Sequence, residues 1–453
     1  MHLQEAYTSK IECLLMTSFG AVLIILLIMS FFLPFKYVVG LLIIMCPFMI
    51  SGTIHIGGKY VQPYLLCEGA LIVRSLFESR NTLKIKNGSL FIYVLSFFIY
   101  AFFITLSGPY VFEGMDVVDK NLDESFLNGY TKLNISINNF TQIGYLILNL
   151  TTLVCVLLHH DKIELKFLRK TFITSVAVSL TFGYWEFLSK MMGFSFPYDI
   201  LMTGRESGMY MATVMGRFRM SSLCTEASTF GAFIASAFWA VMTMRKSIWH
   251  YLFLILIFGA VVLSMSGTAY IAFSFGIMLY LYNKGISPKY IISVLIVILV
   301  SYLILNYIEY YKDIFLMISK KSESSSGQVR LGTAIRSLQI FIESYGLGVG
   351  LGSTRSSSFL ADMLAQVGLI GTCLLAILFY KLIFDLKKKG KYLWIFYYTA
   401  VLMFCQILAE SDFSYSCFWM GLFIAASCHG IIPRKAISAY LLLYSLRMLS
   451  QRK

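Results

Sequence analysis

The sequence predicts an all-α integral membrane protein, a polytopic helical bundle with about 12 transmembrane helices. The chain is 58% hydrophobic and only 13% charged, with a mean hydropathy of +0.75, whereas soluble proteins are about a quarter charged. Apolar runs of roughly 18–20 residues, the length that crosses a hydrocarbon core, recur from end to end. The alternating ten-residue blocks of a membrane barrel are absent, so these runs are predicted to be helices.

The whole chain, 1–453, is predicted to form one polytopic domain. Its expected spans are 13–33, 37–50, 90–107, 140–158, 171–190, 226–243, 248–265, 268–283, 289–307, 358–384, 391–410 and 414–430. When these spans alternate, basic loops such as 159–170 and 387–391 fall on one side, which the excess of Lys and Arg predicts to be cytoplasmic. All six histidines then lie in or near the cytoplasm.

The segment 61–77 is ambiguous, because it is apolar but carries Glu68 and Arg74. As an interfacial helix it leaves both termini in the cytoplasm. As a thirteenth span it places the amino terminus outside. The sequence leaves both interpretations open.

The formal net charge of +14 does not indicate a nucleic-acid partner, because most Lys and Arg lie in short loops where membrane topology explains them. The nine cysteines lie mostly inside apolar runs and show neither metal-ligand spacing nor a disulfide framework. We expect neither a metal nor a cofactor.

Two external segments, 191–225 and 308–357, are long and carry clustered arginines. The arginines of the first are Arg205, Arg217 and Arg219, and those of the second are Arg330, Arg336 and Arg355. Arginines on the outer side run against the usual distribution, and the planar guanidinium donates two parallel hydrogen bonds to phosphate. The set therefore indicates an anionic ligand outside, although any single arginine is equally well explained as solvated surface charge.

A short amphipathic helix is predicted within the second segment, from Gln328 to Ser344. Val329, Leu338, Phe341 and Ile342 form its expected apolar face. Arg330 and Arg336 point about 120° apart on such a helix, so they flank a groove rather than form one flat patch.

Three further features suggest chemistry. Glu226 stands where a span begins, either as a general base for a sugar hydroxyl or as an acidic residue favoured by the helix dipole with Thr225 as the cap. Asp362 is an ionisable group within the start of a span, which is often functional. The polar stretch 264–268 is predicted to be a tight external turn, with contact to a lipid phosphate as the alternative.

A run from Gly346 to Gly352 has glycine at every second position, including Gly348, Gly350 and Gly352. Glycine permits close backbone approach and unusual torsions. The run is either a flexible return into the membrane or a set of exposed amides that binds a glycan or pyrophosphate.

Several of these motifs together resemble the bacterial O-antigen polymerase (Wzy-type) and O-antigen ligase group. They are the Arg-Phe-Arg-Met segment from 217 that leads to Thr-Glu-Ala-Ser at 225, the Ser-x-Ser-Gly-Thr stretch, and the glycine run. Ser357 and Ser358 are followed by nine residues and then Gly368-Leu-Ile-Gly. The ligase pattern has the same spacing but a His where this chain has Ser357, which favours the polymerase. Arg205, ten residues and Gly216 also resemble a polymerase loop pattern.

The resemblance implies a glycosyltransferase with a GT-C-like helical membrane fold in the bacterial inner membrane. Such an enzyme joins undecaprenyl-pyrophosphate-linked oligosaccharide repeat units at the periplasmic face, in lipopolysaccharide biosynthesis. It implies Arg219, Arg330 and Arg336 as catalytic cations and Glu226 as the base, with Arg205, Arg217, Arg355, Asp362 and the three glycines in substrate binding. Membrane lipid and a Wzz-like chain-length regulator are the implied partners.

The alternatives are an O-antigen ligase, a lipid-linked oligosaccharide flippase and a generic secondary transporter. A ligase is expected to carry the external His. A flippase is expected to show charges deep in several spans and two related halves, whereas this sequence has few such charges and no visible halves.

Overall fold

The computed structural model describes residues 15–56, 59–78, 88–118, 129–204, 213–214, 216–244, 247–284, 325–387, 390–409 and 413–429. The helices are α1 (Ser18–Phe31), α2 (Phe35–Met45), α3 (Pro63–Phe77), α4 (Gly88–Val111), α5 (Ile137–Leu158), α6 (Leu165–Met192), α7 (Tyr198–Leu201), α8 (Ala227–Met242), α9 (Ile248–Leu263), α10 (Gly267–Lys284), α11 (Ser325–Glu343), α12 (Phe359–Lys387), α13 (Leu393–Ala409) and α14 (Ser416–His429). Short 3-10 helices span His160–Lys162 and Gly390–Tyr392.

The strands are short and lie between the helices. They are β1 (Leu15–Met16), β2 (Ile54–Ile56), β3 (Lys59–Val61), β4 (Asp116–Val118), β5 (Tyr130–Lys132), β6 (Thr213–Val214) and β7 (Arg217–Phe218). They form one three-stranded sheet in the order β1-β2-β3 and two hairpins, β4-β5 and β6-β7, all antiparallel.

Contacts between distant residues define two ends of the bundle. At one end, Lys36 at the start of α2 bonds to Glu164 just before α6 at 2.8 Å. At the other, the N–H of Ile50 donates to the carbonyl of Leu223 at 3.0 Å. We call this second end, which includes the loop 216–226, the arginine end, and the first the opposite end.

The helix α3 runs between these two ends, as the spanning interpretation of 61–77 requires. Tyr64 near its start donates to the carbonyl of Ser414 at 2.8 Å, whereas Ser75 near its finish contacts Nε2 of His159 at 2.9 Å. With this additional crossing of the bundle by α3, β1 lies at the arginine end. The crossing also brings His55 of β2 to that end, which corrects the expectation that every histidine lies at the other.

Most observed helices match the predicted spans to within a few residues. The largest differences are in α6, which begins at Leu165 although 171–190 was predicted, and in α2, which ends at Met45 although 37–50 was predicted. Residues 46–53 instead form an irregular connection of turns and bends that leads into β2. The predicted span 289–307 lies outside the described residues.

Among the described residues, four helices are long and apolar enough to cross a membrane, and five further apolar helices have 10–17 residues. The long ones cover Ser89–Val111, Ile137–Leu158, Phe359–Phe384 and Gly390–Ala409. This composition agrees with a helical membrane protein. The total of about 12 spans stays a prediction.

The burial pattern also agrees with a bundle in a lipid environment. Helix α8 is buried on all sides between α9, α10 and α13. Peripheral helices expose large apolar side chains, such as Ile25 at 58%, Phe103 at 67% and Ile255 at 65%. A surface of this kind is rare on soluble monomers but suits contact with lipid chains.

Glu78 at the opposite end is the centre of a charge network. Burial acts to raise the pKa of its carboxyl group, but the hydrogen bond from Lys162 at 2.6 Å and the nearby charge of Arg74 outweigh this and lower the pKa overall. The network ties the end of α3 to the 3-10 turn before α6.

We predict that this stabilisation is lost at acid pH. A group whose pKa is lowered by folding stabilises the fold above its unfolded pKa, about 4.3 for Glu, and loses that contribution as the pH falls through the folded pKa. Glu78→Gln is expected to lower the thermal unfolding midpoint of the purified protein at pH 7, and the difference from wild type should shrink below about pH 4. An equal difference at both pH values would contradict the prediction.

Candidate functional site at the arginine end

A buried ion pair holds the loop that carries Arg217 and Arg219. Glu186 on α6 is 1% exposed, and it pairs with Lys190 one turn further along the helix. Its carboxylate accepts the N–H groups of Ser221 at 3.1 Å and Ser222 at 2.9 Å, and the hydroxyl of Ser221 at 2.8 Å. The carboxylate is thus neutralised and fully hydrogen-bonded, which a buried charge requires.

The loop is also strained at Ser222, which has φ +52° although it is not glycine. Its hydroxyl donates to the carbonyl of Ser179 at 2.7 Å. This bond and the three bonds from Ser221 and Ser222 to Glu186 hold the left-handed conformation, which costs a non-glycine residue roughly 1–2 kcal/mol.

Arg219 lies against the turn between α9 and α10. Its Nε donates to the carbonyl of Ser264 at 3.2 Å, and its own carbonyl accepts from Lys190 at 3.4 Å. Met220 bonds through its N–H to the carbonyl of Leu263 at 3.0 Å. The tight turn predicted at 264–268 is therefore observed at residues 264–266, and it packs beside Arg219.

Glu226 is the residue immediately before α8. Its backbone is extended, it is exposed, and its carboxylate accepts the hydroxyl of Ser228 at 2.8 Å. The cap position belongs to Glu226 itself, and Thr225 instead contacts Thr229. A carboxylate here is stabilised by the helix dipole and remains open to solvent on its other side.

The two arginines of α11 have different surroundings. Both carboxylate oxygens of Glu343 accept from Arg336, at 2.7 and 3.0 Å, and the carbonyl of Asp116 accepts at 2.5 Å. The guanidinium of Arg336 also lies 5.7 Å from the ring centre of Tyr130. Arg330, by contrast, is half-buried, and no described residue makes a hydrogen bond or ion pair with its guanidinium.

The buried stripe of α11 differs from the predicted apolar face. Leu338 and Ile342 are 44% and 71% exposed, whereas Ser337 and Ile340 are buried. Ile340 packs in a small cluster with Val117, Leu133, Val349 and Ala365. The hydrophobic pattern did not predict the buried face of α11, because this helix packs on a polar loop and a β-hairpin as well as on apolar helices.

Arg330 lies on a flank of this stripe, next to Thr333. The hydroxyl of Thr333 contacts both the carbonyl of Arg330 and the hydroxyl of Ser357, each at 3.1 Å. Arg336 lies on the other flank, because the two arginines are about 120° apart on the helix. Arg330 is therefore directed along the side of α11 that meets the residues before α12.

A break in α12 receives the glycine run. Gly368 has φ +64° and ψ −170° inside the helix, which frees the backbone groups on either side of it. The carbonyls of Ala365 and Gln366 accept the N–H groups of Val349 at 2.9 Å and Gly350 at 2.8 Å. In return, Leu369 donates to the carbonyl of Gly346 at 2.8 Å.

The run is consequently packed rather than flexible. Its even-numbered members from 346 to 352 all have positive φ, and a Cβ on Gly348 would lie 2.5 Å from the nitrogen of Gly368. The N–H of Gly352 donates to Gln366 Oε1 at 2.7 Å. With the amides of 348–352 bonded inside the protein, the run shapes the loop that follows it.

That following loop, residues 353–358, is fixed by Gln366 of α12. Nε2 of Gln366 donates to Oδ2 of Asp362 at 2.6 Å and to the carbonyl of Thr354 at 3.1 Å. Asp362 is 4% exposed in the first turn of α12. Arg355, at the tip of the loop, is exposed. Asp362 thus acts through Gln366 on the backbone that presents Arg355.

Hydrogen bonds link the starts of α8 and α12 to residues on either side of the α13–α14 connection. On one side, the hydroxyl of Tyr415 donates to the carbonyl of Thr229, just inside α8, at 2.9 Å. On the other, the hydroxyl of Ser358 donates to the carbonyl of Ile407 at 2.6 Å. The start of α8, which follows Glu226, therefore contacts the residue before α14, and the residue before α12 contacts the last turn of α13.

The structure places Arg217, Arg219, Glu226, Arg330, Arg336, Arg355, Asp362 and the three glycines at the arginine end. Arg205 lies outside the described residues. Sequence reasoning missed Glu186 and Lys190, which hold the loop of Arg219. Opposite charges four residues apart inside an apolar run are the pattern that marks such a pair.

Removing the buried carboxylate should release the loop. Glu186→Gln leaves Lys190 without a counter-ion, and breaking a buried pair costs about 3–5 kcal/mol. We expect a clear fall in the thermal unfolding midpoint. The double variant Glu186→Gln with Lys190→Met should recover most of it, because it buries no lone charge. An unchanged midpoint in the single variant would rule out the anchoring role.

A side chain at the break in α12 should be poorly tolerated. A Cβ at Gly368 would lie 2.3 Å from the carbonyl oxygen of Gly346, and Ala would also adopt a left-handed conformation. Gly368→Ala is expected to reduce the folded yield sharply. Gly144→Ala, where nothing lies within 4 Å of the added Cβ, is the control and should be neutral or mildly stabilising. Equal yields from the two variants would contradict the packing described.

Comparison with known proteins adds no family to these findings. No protein-family model matches the chain, and no curated protein matches it. A function is therefore proposed below from the contacts at the arginine end and from the sequence motifs.

Proposed function

We propose that this protein is an O-antigen polymerase, a glycosyltransferase of the bacterial inner membrane. It joins undecaprenyl-pyrophosphate-linked oligosaccharide repeat units into a polysaccharide. The observation that carries the proposal is Arg330, a half-buried arginine with no partner among the described residues. An accessible guanidinium that no described residue neutralises can donate two parallel hydrogen bonds to an anionic ligand such as a diphosphate.

The sidedness follows from the loop charges. Lys162, Lys166, Arg169 and Lys170 lie at the opposite end of the bundle, and the positive-inside rule assigns that end to the cytoplasm. The arginine end then faces the periplasm. A substrate presented there is one that the cell has already made and carried across, such as a lipid-linked pyrophosphate sugar.

In the proposed reaction, a hydroxyl oxygen of one repeat unit attacks the anomeric carbon of the growing chain. A carbon–oxygen bond forms there as the bond to undecaprenyl pyrophosphate breaks. The leaving diphosphate gains negative charge, and fixed cations stabilise it. Arg330 and Arg219 take this role, and Glu226 accepts the proton of the attacking hydroxyl.

The remaining residues bind substrate or position others. Arg205, Arg217 and Arg355 contact the diphosphates or acidic groups of the glycan. Asp362 and the glycines at 348, 350 and 352 keep the loop of Arg355 in place. Arg336 is already neutralised by Glu343, so its contribution is to hold α11 on the β4-β5 hairpin rather than to bind the leaving group directly.

The reaction requires no nucleotide or metal in this scheme, because the pyrophosphate donor is already activated. Both substrates are lipid-anchored, so the bilayer holds them in one plane and restricts their orientation. A chain-length regulator of the Wzz-like type is the protein partner that the proposal implies.

The test compares four variants in a strain that lacks the chromosomal gene. Arg330→Gln is expected to lower polymer synthesis by about 10²–10³-fold, the usual loss for one electrostatic stabiliser, while the protein level is kept. Arg330→Lys should rescue poorly, because the bidentate geometry is lost. Arg336→Gln should instead lower the protein level, and Arg169→Gln at the opposite end should change neither.

The lipopolysaccharide ladder on a gel separates the proposal from its alternatives. Loss of a polymerase leaves lipid A core with a single repeat unit, whereas loss of a ligase or flippase leaves none. Normal ladders from both Arg330→Gln and Arg219→Ala would refute the assigned role of these arginines.

A further inference from the structure

The side of α11 that faces away from the protein is apolar. Four large aliphatic side chains follow one another along it at the spacing of a single helix face. Their exposed fractions range from 44% to 71%, and they are Leu331, Ile335, Leu338 and Ile342. We call these four residues the aliphatic stripe.

The buried side of the same helix is more polar than the aliphatic stripe. Ser337 and Ser344 are 0% exposed there, together with Ile340. At 100° per residue, Ile340 lies about 180° from the middle of the stripe. A helix at a protein–water boundary buries its apolar face and exposes its polar face. The distribution in α11 is the reverse, which indicates that its outer side does not face water.

The path of α11 follows that of α12 into the bundle. Near its start, the hydroxyl of Thr333 contacts that of Ser357, just before α12, at 3.1 Å. Further along, Ile340 packs against Ala365 of α12. Beyond its end, the carbonyl of Gly346 accepts the N–H of Leu369 at 2.8 Å. Each contact is deeper on both elements than the one before it, so the two helices run side by side away from the arginine end.

Two independent contacts give the depth of the tip of α11. Leu369, which donates to Gly346, is ten residues into α12, which corresponds to about 15 Å along the helix axis. The carbonyl of Leu347 accepts from the hydroxyl of Tyr100 at 3.0 Å, and Tyr100 lies eleven residues before the end of α4, or about 16 Å. Both α4 and α12 are long and apolar enough to cross a membrane. The tip therefore lies within the apolar layer that these helices cross.

The aliphatic stripe joins an apolar surface on α12. Exposed aliphatic side chains surround the tip, and they are Leu347 at 43%, Leu369 at 54% and Ile370 at 51%. Ile342, the deepest member of the stripe, is one helical turn before Gly346. The surface of α12 that faces outward in the bundle thus continues without a break onto α11.

The polar groups of the tip are satisfied in the way that a lipid environment requires. Glu343 is the charged residue nearest the tip, and both of its carboxylate oxygens accept from Arg336, so the pair is neutral. The amides of the returning glycine run are bonded inside the protein. Non-helical backbone at membrane depth is tolerated where it is buried in protein in this manner.

We propose that α11 and the glycine run form a re-entrant segment, and that the aliphatic stripe contacts the acyl chains of the lipid leaflet at the arginine end. The partner of this surface is lipid because the stripe continues the outward surface of a helix long and apolar enough to span the membrane. The inference does not depend on the reaction proposed above. It replaces the expectation that the helix in segment 308–357 lies outside the membrane.

Spin labels on single introduced cysteines test the proposal in the full-length protein in liposomes. Cys13 and Cys373 are first replaced by alanine, because the other seven cysteines are buried. Labels are then placed at the four stripe positions in separate variants. Dissolved oxygen concentrates in lipid, whereas a nickel chelate stays in water. We expect all four labels to collide with oxygen and to be protected from nickel. Their depth should increase from position 331 to position 342, by up to about 16 Å.

Two reference labels calibrate the measurement. The native Cys373, kept with only Cys13 replaced, is exposed on α12 and gives the lipid value. Lys132→Cys on β5, where the side chain is 68% exposed, gives the water value. Stripe labels as open to nickel as the label at 132 would overturn the proposal. So would labels protected from both reagents, because the stripe would then be covered by protein, either another segment or a second copy of the chain.

A pair of charged substitutions on α11 provides a second measurement that needs no label. Ile342→Asp places a charge in lipid, which is costly, and it is expected to lower the yield of folded protein in the membrane severalfold. Gln339→Asp is the matched control, because residue 339 lies on the polar flank and already accepts from Arg336 at 3.3 Å. It should keep the parental yield. Equal yields from the two variants would also overturn the proposal.

Discussion

The structure at the arginine end depends on one requirement, that every backbone N–H and carbonyl inside an apolar bundle finds a partner within the protein. The break at Gly368 creates unpaired groups in the middle of α12. The glycine run provides the matching donors and acceptor, because only a chain without side chains can approach so closely. The break and the run are thus two halves of one interaction, although they are separated along the chain.

This interaction has a consequence for the loop that follows. Once the run is bonded to α12, residues 353–358 leave it at a defined place and direction. Gln366 then links Gly352, Thr354 and Asp362 through its two amide atoms. The exposed Arg355 is presented by a loop whose backbone has little freedom, which is the usual requirement for a binding residue.

Buried charge is treated in three different ways in the same molecule. Glu186 is ionised and matched by Lys190 and by backbone N–H groups. Glu68 is buried without such partners among the described residues, a situation that favours the neutral form of a carboxyl group. Arg330 is only half-buried and unpaired among the described residues, and this position suits a cation that binds an anionic ligand. Each solution avoids the energetic penalty of an isolated charge in an apolar medium.

Hydropathy and loop charge were enough to identify the helical membrane class, most helix positions, the turn after α9 and the grouping of the arginines. These features depend on residues close together in the chain, whose periodicity and composition are visible directly. Three features depended on three-dimensional packing. They are the path of α3 between the two ends of the bundle, the pairing of Arg336 with Glu343 on a face that also meets β4, and the hydrogen bonds around Gly368. Their partners are distant in sequence, and burial, not local pattern, decides which polar atoms must meet.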